Sequence, residues 1–312
     1  MSKSSLAFVF PGQGSQKVGM LADIADQFSI VKETFDEASE VLAYDVWDMI
    51  QNGEQEQLNL TERTQPILLT SSVALWRAWQ QKQGVQPALM AGHSLGEFSA
   101  LVCAGSLAFA DAVALVRDRG QFMQTAVPVG EGAMAAVLGL SDEKIKAVCE
   151  ALASEGVVEA VNFNSPGQVV IAGTVAAVEK AIAACKEAGA KRAMPLPVSA
   201  PFHTSLMKPA GEKLAEKVAE LTVKSPIIPV VHNVHAQTES DPEKIKALLV
   251  QQIYSPVNWV GCVETMLAAG IEQTVECGPG AVLSGLNRRV KKSLEVFSLE
   301  APAGFEKALT EL

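Results

Sequence analysis

A five-residue pattern in the first third of the chain constrains the fold more than any other segment. Residues 92–96 read Gly-His-Ser-Leu-Gly, the G-x-S-x-G pattern of a sharp strand-to-helix turn. Residues 88–91 form a short apolar run before the turn, and residues 97–103 read as a buried helix after it. Such a turn needs glycines where a Cβ would clash, and it exposes the serine hydroxyl beside the free N–H groups of a helix N-terminus. Ser94 is therefore a candidate nucleophile, with an ordinary serine in a glycine-containing turn as the alternative.

The composition excludes several classes of protein. The chain has 312 residues, of which 48% are hydrophobic and 19% are charged, so we expect a sizeable core and no extensive disorder. The net charge of -10 argues against nonspecific binding to nucleic acid or to an anionic membrane.

The cysteines and the first apolar run favour a cytoplasmic protein with no membrane span. The five cysteines include no C-x-x-C pair and no metal-type spacing, which indicates reduced thiols and no bound metal. Residues 6–10 are apolar, but this run is shorter than the core of a secretory signal and is better interpreted as a buried strand. No run reaches the roughly 18 apolar residues of a membrane helix.

Apolar strands alternate with amphipathic helices, which predicts an α/β fold with a mostly parallel sheet. Strands are predicted at residues 6–10, 88–91, 133–140, 157–162, 168–172, 192–198, 227–232 and 273–276. Helices are predicted at residues 29–42, 64–83, 97–103, 111–124, 175–188, 241–254, 259–269 and 282–292, with another opened by Ser141 as N-cap. The order strand-helix-strand-strand-helix-strand within residues 129–197 is ferredoxin-like and predicts an inserted α+β subdomain. The larger catalytic subdomain then comprises residues 1–128 and 198–312.

A serine nucleophile needs a base, and histidine is the usual one because it titrates near neutral pH. Of the four histidines, His93 adjoins Ser94 on the sharp turn, so the two side chains should point apart. His232 and His235 follow a predicted strand and could be structural. His203 lies where the chain leaves the inserted subdomain, and a cleft is expected at such a junction. His203 is the best candidate on chemical grounds, although a satisfied structural histidine remains the alternative.

Six motifs occur in an order that resembles one family over nearly the whole chain. They are residues 10–16, 92–97, 117–120, 162–168, 201–203 and 251–257, reading FPGQGSQ, GHSLGE, RDRG, NFNSPGQ, PFH and QQIYSPV. The chain resembles the malonyl-CoA:acyl carrier protein transacylases of bacterial fatty-acid synthesis. The resemblance implies a hydrolase-like, mostly parallel sheet core with the ferredoxin-like insertion. It also implies transfer of a malonyl group from malonyl-CoA to the phosphopantetheine thiol of acyl carrier protein through a malonyl-serine.

The resemblance assigns roles to five positions in the acyl-transfer machinery. Ser94 would attack the thioester, and His203 would take its proton and then protonate the departing thiolate. The backbone carbonyl of Gln252 would orient His203 in place of an aspartate, and Asp241 is expected near a helix start instead. Backbone N–H groups of Gln13 and Leu95 would form the oxyanion hole.

Arg119 indicates that the acyl group has a carboxylate, because a guanidinium pairs with a carboxylate through two parallel hydrogen bonds. An arginine within an apolar helix needs a partner, and the resemblance makes that partner the malonyl carboxylate. The alternative is an internal salt bridge to Asp118 or Glu97.

Other positions have weaker assignments from the same resemblance. Phe202 precedes His203, and in related acyltransferase domains a phenylalanine there accompanies selection of malonyl over methylmalonyl groups. Gln65 and Asn162 lie in segments that resemble family motifs, and they either line the pocket or hold loops.

The expected partner, an acyl carrier protein, is acidic in this family, so an acidic chain must bind it through a local basic surface. The two candidate surfaces are Lys191 with Arg192, and Arg288 with Arg289 beside two further lysines; solvated element ends are the alternative. Malonyl-CoA enters as substrate, and no permanently bound cofactor or metal is indicated. The sequence does not fix the oligomeric state, and we expect a monomer. The competing functions are a serine esterase or thioesterase of the α/β-hydrolase type and a non-catalytic scaffold.

Overall fold

Strands and helices alternate along the chain. The computed structural model describes residues 2–198 and 200–312. The strands are β1 (Ser2–Phe10), β2 (Gln86–Gly92), β3 (Gly132–Leu138), β4 (Val158–Ser165), β5 (Gln168–Thr174), β6 (Arg192–Pro195), β7 (Val230–Val231), β8 (Gln273–Glu276) and β9 (Glu295–Ser298). The helices are α1 (Ala22–Gln27), α2 (Ser29–Leu42), α3 (Val46–Asn52), α4 (Gln55–Leu58), α5 (Thr61–Gln81), α6 (Leu95–Cys103), α7 (Phe109–Thr125), α8 (Asp142–Ala151), α9 (Val175–Glu187), α10 (Lys208–Glu220), α11 (Pro242–Gln252), α12 (Trp259–Ala268), α13 (Val282–Val290) and α14 (Pro302–Glu311). Within the described ranges, no helix combines the length and apolarity needed to cross a bilayer.

One sheet is parallel and forms the core of the larger part of the molecule. Its strand order is β7-β2-β1-β8-β9, and each neighbouring pair is parallel. The central strand β1 is buried on both faces: Leu6, Phe8 and Phe10 pack into one core cluster, and Ala7 and Val9 into another. A parallel strand covered on both sides is expected to be apolar throughout, as residues 6–10 are. The predicted hydrolase-like core is confirmed.

The second sheet is antiparallel and has the predicted ferredoxin-like connectivity. Its strand order is β4-β5-β3-β6, with α8 following β3 and α9 following β5. The side chain of Ser141 caps α8 by accepting from the Lys144 N–H, as predicted. All four strands fall within residues 129–197; the subdomain limits themselves stay a prediction.

Two strands are much shorter than predicted, and both differences occur beside prolines. The strand predicted at residues 192–198 ends at Pro195, and a second proline, Pro197, follows. The strand predicted at residues 227–232 is paired only over Val230–Val231, directly after Pro229, and Ile227 is 83% exposed. Proline has no N–H to donate, so the ladder loses a hydrogen bond at each of these positions.

Several elements had no counterpart in the sequence prediction. Helix α10 occupies a stretch for which nothing was predicted, and strand β9 and helix α14 extend the fold beyond the last predicted helix. The apolar positions of α10 that become buried, Leu214 and Val218, have the four-residue spacing of a helix face. The pattern of an amphipathic helix was therefore present in residues 208–220.

The register of the parallel sheet positions the candidate site. Phe10 at the end of β1 pairs with Gly92 at the end of β2, so the loop after β1 and the turn after β2 leave the same sheet edge side by side. Ligands of open parallel sheets bind at this carboxyl edge.

Candidate active site

The turn after β2 has the strained backbone of a nucleophile elbow. Ser94 has φ 51° and ψ -110°, a conformation that L-residues rarely adopt outside such turns. A Cβ on Gly92 would collide with the backbone of Gly96, and a Cβ on Gly96 would collide with the carbonyl of Phe10. The backbone N–H of Ser94 donates to Asn233 Oδ1 over 2.8 Å. Both glycines are therefore required by close backbone approach.

Ser94 and His203 form a hydrogen-bonded pair. Ser94 Oγ lies 2.8 Å from His203 Nε2, and His203 Nδ1 lies 2.9 Å from the backbone carbonyl of Gln252. A carbonyl can only accept, so Nδ1 carries the proton and Nε2 is free to accept from the serine hydroxyl. The side chain of Asp241 caps α11 instead, as expected. The geometry is that of a serine-histidine dyad oriented by a carbonyl.

The surroundings of His203 keep its ring neutral. Burial, followed by the positive charge of Arg119, lowers the pKa of His203 to about 3, although the hydrogen bond to Gln252 opposes the shift. At neutral pH the imidazole is therefore in the form that can accept a proton.

Arg119 is buried on α7 beside the nucleophile and is held by neutral groups. It is 1% exposed. Its Nη1 donates to Gln65 Oε1 over 2.7 Å, and its Nη2 donates to Gln252 Oε1 over 2.8 Å and to Ser94 Oγ over 3.3 Å. The guanidinium carbon lies 5.1 Å from the ring centroid of Phe98, within range of a cation–π interaction.

Arg119 has no carboxylate within 4.0 Å in the part of the chain that the structure describes. Asp118, one of the two acids considered, pairs with Arg117 and Lys217 instead. Glu97, the other, contributes only longer-range attraction. Burial lowers the pKa of Arg119 to about 10 and Glu97 opposes the shift, so the guanidinium stays protonated at neutral pH. A buried cation in this state is complementary to an anionic ligand.

The three side chains open into one cavity of about 130 Å³. Its walls are Gln13, Gln65, His93, Ser94, Leu95, Arg119, Met123, Met134, Asn162, Leu196, Val198, Phe202 and His203. Every position singled out from the sequence for catalysis or pocket lining is in this set except Gln252, which lies behind it. The Oδ1 atom of Asn162 is buried without a hydrogen-bond partner in residues 2–198 and 200–312, so a ligand group could donate to it.

The predicted oxyanion donors face the same cavity. Leu95 is the first residue of α6, and the N–H of a first helical residue has no intrahelical partner. Gln13 follows Gly12, where a Cβ would lie only 2.6 Å from the carbonyl oxygen of His93. The glycine thus lets the loop after β1 press against the elbow and bring Gln13 beside it.

A second cavity, of about 220 Å³, adjoins the first. The two share Gln13, His93, Asn162 and Leu196, and the second extends to Leu283 and other residues of α13. Of the predicted basic surfaces, Arg288 and Arg289 end this helix and are exposed, whereas Lys191 and Arg192 are exposed at the start of β6.

Comparison with known proteins agrees with this geometry. The model of one protein family, the acyl transferase domain, matches residues 7–304. The chain belongs to this family. The malonyl CoA-acyl carrier protein transacylase of Salmonella typhimurium is 58% identical to this acyl transferase over 308 residues, covering 99% of this chain and 100% of that protein.

Solved structures of similar proteins have the same fold. An acyl carrier protein S-malonyltransferase from Vibrio cholerae superposes with a TM-score of 0.96 at 58% identity, covering 97% of this chain and 99% of that one. A malonyl-transacylase in complex with its type II PKS acyl-carrier protein superposes with a TM-score of 0.97 at 52% identity, covering 99% of this chain and 100% of that one.

A buried polar cluster behind the dyad of this acyl transferase was not predicted from the sequence. Glu97, His232, Asn233 and the side chain of Gln252 are all 0% exposed and are hydrogen-bonded to one another or to Ser94. The available signal was a glutamate in a helix that is otherwise apolar, directly after the elbow. Its partners lie more than 130 residues further along the chain, and no local pattern connects them to it.

Proposed function

We propose that this acyl transferase moves a malonyl group from malonyl-CoA to the phosphopantetheine thiol of an acyl carrier protein, supplying malonyl carrier protein for fatty-acid elongation. The observation that carries the proposal is the single cavity in which a serine-histidine dyad meets a buried arginine with no carboxylate within 4.0 Å among the described residues. The names of the relatives above support the same acyl group and the same acceptor.

The first half-reaction forms a malonyl ester on Ser94. The hydroxyl oxygen attacks the thioester carbonyl carbon while His203 Nε2 takes the hydroxyl proton. The resulting oxyanion is stabilised by the backbone N–H groups of Gln13 and Leu95. The tetrahedral intermediate then expels the thiolate of coenzyme A, which takes the proton from the imidazolium.

The second half-reaction reverses these steps with a different thiol. His203 takes the proton of the phosphopantetheine thiol, the thiolate attacks the malonyl ester, and Ser94 leaves and recovers its proton. Through both halves Arg119 binds the malonyl carboxylate, with Gln65 and Gln252 holding the guanidinium in place. Phe202 and Asn162 would complete the walls around the acyl group.

The second cavity supports a route for the thioester arm. It joins the acyl cavity to α13, so a carrier bound near Arg288 and Arg289 could extend its arm to Ser94. The five cysteines of the chain are free thiols, which suits the cytoplasmic location expected from the sequence.

Intact-protein mass spectrometry tests the proposal. Wild type mixed with malonyl-CoA should gain one malonyl group, and added carrier protein should remove it much faster than water does. Ser94→Ala should gain none, because it lacks the hydroxyl that His203 Nε2 contacts. Ser99→Ala is the matched control, since this serine is buried on the same helix without a hydrogen-bond partner among the described residues. A malonyl group that persists on Ser94→Ala would reject the nucleophile, and discharge of wild type by water alone would favour the esterase.

A further inference from the structure

Behind the dyad, one buried carboxylate receives three hydrogen bonds. Glu97 is 0% exposed in the first turn of α6 and is not among the residues lining the acyl cavity. Its Oε1 lies 2.7 Å from His232 Nδ1, and its Oε2 accepts from the Asn233 backbone N–H over 2.9 Å and from Gln252 Nε2 over 2.8 Å. A buried carboxylate is costly unless it is hydrogen-bonded in this way, and the helix N-terminus also favours its charge.

Two of these donors hold the nucleophile from both sides. The Asn233 side chain accepts from the Ser94 N–H over 2.8 Å and donates to the Gly92 carbonyl over 2.7 Å. Gln252 Nε2, besides donating to Glu97, donates to the Ser94 carbonyl over 3.0 Å. The strained backbone of Ser94 is therefore held at its N–H and at its carbonyl by residues that Glu97 anchors.

Gln252 also connects Glu97 to the other two functional side chains. Its backbone carbonyl orients His203, and its side-chain oxygen accepts from Arg119. An amide can rotate by half a turn and exchange its oxygen and nitrogen, but a carboxylate can only accept. Glu97 and the Ser94 carbonyl, which both can only accept, therefore turn the amide nitrogen toward themselves and the amide oxygen toward Arg119.

We propose that Glu97 is a positioning residue for acyl transfer: through Gln252 and Asn233 it fixes Ser94, His203 and Arg119 in their reactive arrangement without touching the substrate. This inference rests on the roles proposed above for those three residues. Small misplacements of reacting groups cost about 10²-fold in rate, so a residue in this position acts on the chemical step.

The test compares acylation by malonyl-CoA and by acetyl-CoA at saturating concentration, expressed per folded molecule. Glu97→Ala should slow acetyl loading about 10²-fold, because the dyad and the elbow lose their support. Malonyl loading should fall about tenfold further, because the Gln252 amide that accepts from Arg119 is then held on its other side by the Ser94 carbonyl alone.

A conservative variant should restore much of the rate. In Glu97→Gln, the new amide oxygen can accept from Asn233 and Gln252, and the new amide nitrogen can donate to His232 if that ring changes tautomer. The change is possible because His232 Nε2 has no hydrogen-bond partner in the described residues. We expect Glu97→Gln to load both acyl groups within about tenfold of wild type but measurably more slowly.

Glu276 provides a matched control away from the cavity. It is equally buried, and it accepts from the backbone N–H groups of Leu283 and Ser284 at the start of α13. Glu276→Ala and Glu276→Gln should lower the unfolding temperature and leave the ratio of malonyl to acetyl loading per folded molecule unchanged, because any shift of α13 acts on the coenzyme A arm that both thioesters share.

A double-variant cycle isolates the route through Gln252. Each single substitution, Glu97→Gln and Gln252→Ala, slows loading by some factor. If Glu97 acts partly through Gln252, the double variant should slow loading by much less than the product of those two factors. The same cycle serves if Glu97→Ala does not fold. Wild-type rates in the folded Glu97 variants, or fully multiplicative effects in the cycle, would overturn the inference. Failure of wild type itself to acquire an acyl group would instead reject the proposed function.

Discussion

The two sheets of this acyl transferase differ in what they bury. The core of the antiparallel sheet is apolar, with members such as Ala135, Val137, Ile145, Val169 and Ile171. At the carboxyl edge of the parallel sheet, by contrast, five polar or charged side chains are at most 3% exposed; they are Glu97, Arg119, His203, Asn233 and Gln252. Buried polar groups need hydrogen-bond partners, and these residues provide most of them for one another through a connected set of hydrogen bonds, with Arg119 Nε left without a partner among the described residues.

The difference indicates that the two sheets have different roles at the cavity. The parallel sheet holds a preorganised polar site, whereas the antiparallel sheet and the residues directly after it contribute mainly walls of the cavity, such as Met134 and Leu196; His203, further along that segment, belongs to the polar site. Asn162 on β4 is the polar exception. Chemical effects should therefore concentrate in the first region, and effects of the second should be confined to pocket shape and to partner binding.

Removing Arg119 should have the largest predicted effect on the rate of acyl loading, and it tests the polar site beside the parallel sheet. Arg119→Ala should weaken malonyl loading about 10²–10³-fold more than acetyl loading, because only the malonyl group carries a carboxylate that pairs with the buried cation. The measurement is kcat/KM for release of coenzyme A from each thioester.

Arg117→Ala is the control, since Arg117 lies two residues earlier on the same helix, is 41% exposed at its side chain and pairs with Asp118. It should leave the ratio of malonyl to acetyl loading unchanged. If Arg119→Ala slows both acyl groups equally, Arg119 is a structural residue.

The pH dependence of acylation tests the electrostatics of the same region. Because the pKa of His203 is lowered to about 3, its base form persists as pH falls, and kcat/KM for acetyl loading should show no histidine break near pH 6.5. Arg119→Gln removes the positive charge that helps to lower the pKa of His203, so this pKa should rise. The acid limb of the pH–rate profile of that variant should then move to higher pH. A wild-type break near pH 6.5 would mean that the ring is not held neutral.

The same shift has a consequence for folding. The unfolded chain binds a proton on this histidine near its ordinary pKa of about 6.5, and the native state does so only near 3. The contribution of His203 to the free energy of unfolding therefore decreases as pH falls from about 6.5 toward 3. Chemical denaturation at several pH values measures this slope.

The outline of the fold and the local structure around several functional residues were predictable from short sequence patterns. The elbow, the apolar β1 and the helix caps at Ser141 and Asp241 each depend on a few neighbouring residues, and the structure has all of them. The meeting of Ser94 and His203, 109 positions apart, was predicted through the resemblance and the expected cleft, not from any spacing.

What escaped prediction depends on contacts that no local window contains. Glu97 reads as one glutamate in an apolar helix, and its function becomes visible only beside His232, Asn233 and Gln252. Strand β9 also went unpredicted, because its four residues are too short to show a pattern of their own and are buried by packing against distant elements.

Substitutions on the surfaces proposed to dock the carrier protein should have the smallest effect. They test whether residues outside the cavity contribute to partner binding. Charge reversal of Arg288 and Arg289 should raise the carrier KM about tenfold and leave the coenzyme A half-reaction unchanged, because like charge then faces an acidic partner. Reversal of Lys191 and Arg192 on the antiparallel sheet tests whether that surface contributes as well.

Arg289 has a second contact that its charge reversal would also break, and this contact provides a control for the experiment. Arg289 Nη1 donates to Gln168 Oε1 at the start of β5, so it also links α13 to the antiparallel sheet. Gln168→Ala removes this link without changing charge. If Gln168→Ala raises the carrier KM as much as the reversal does, the link between the sheets is what matters; if it has no effect and the reversal does, the positive charge binds the carrier. Equal loss in both half-reactions would exclude docking at α13, because coenzyme A loading requires no carrier.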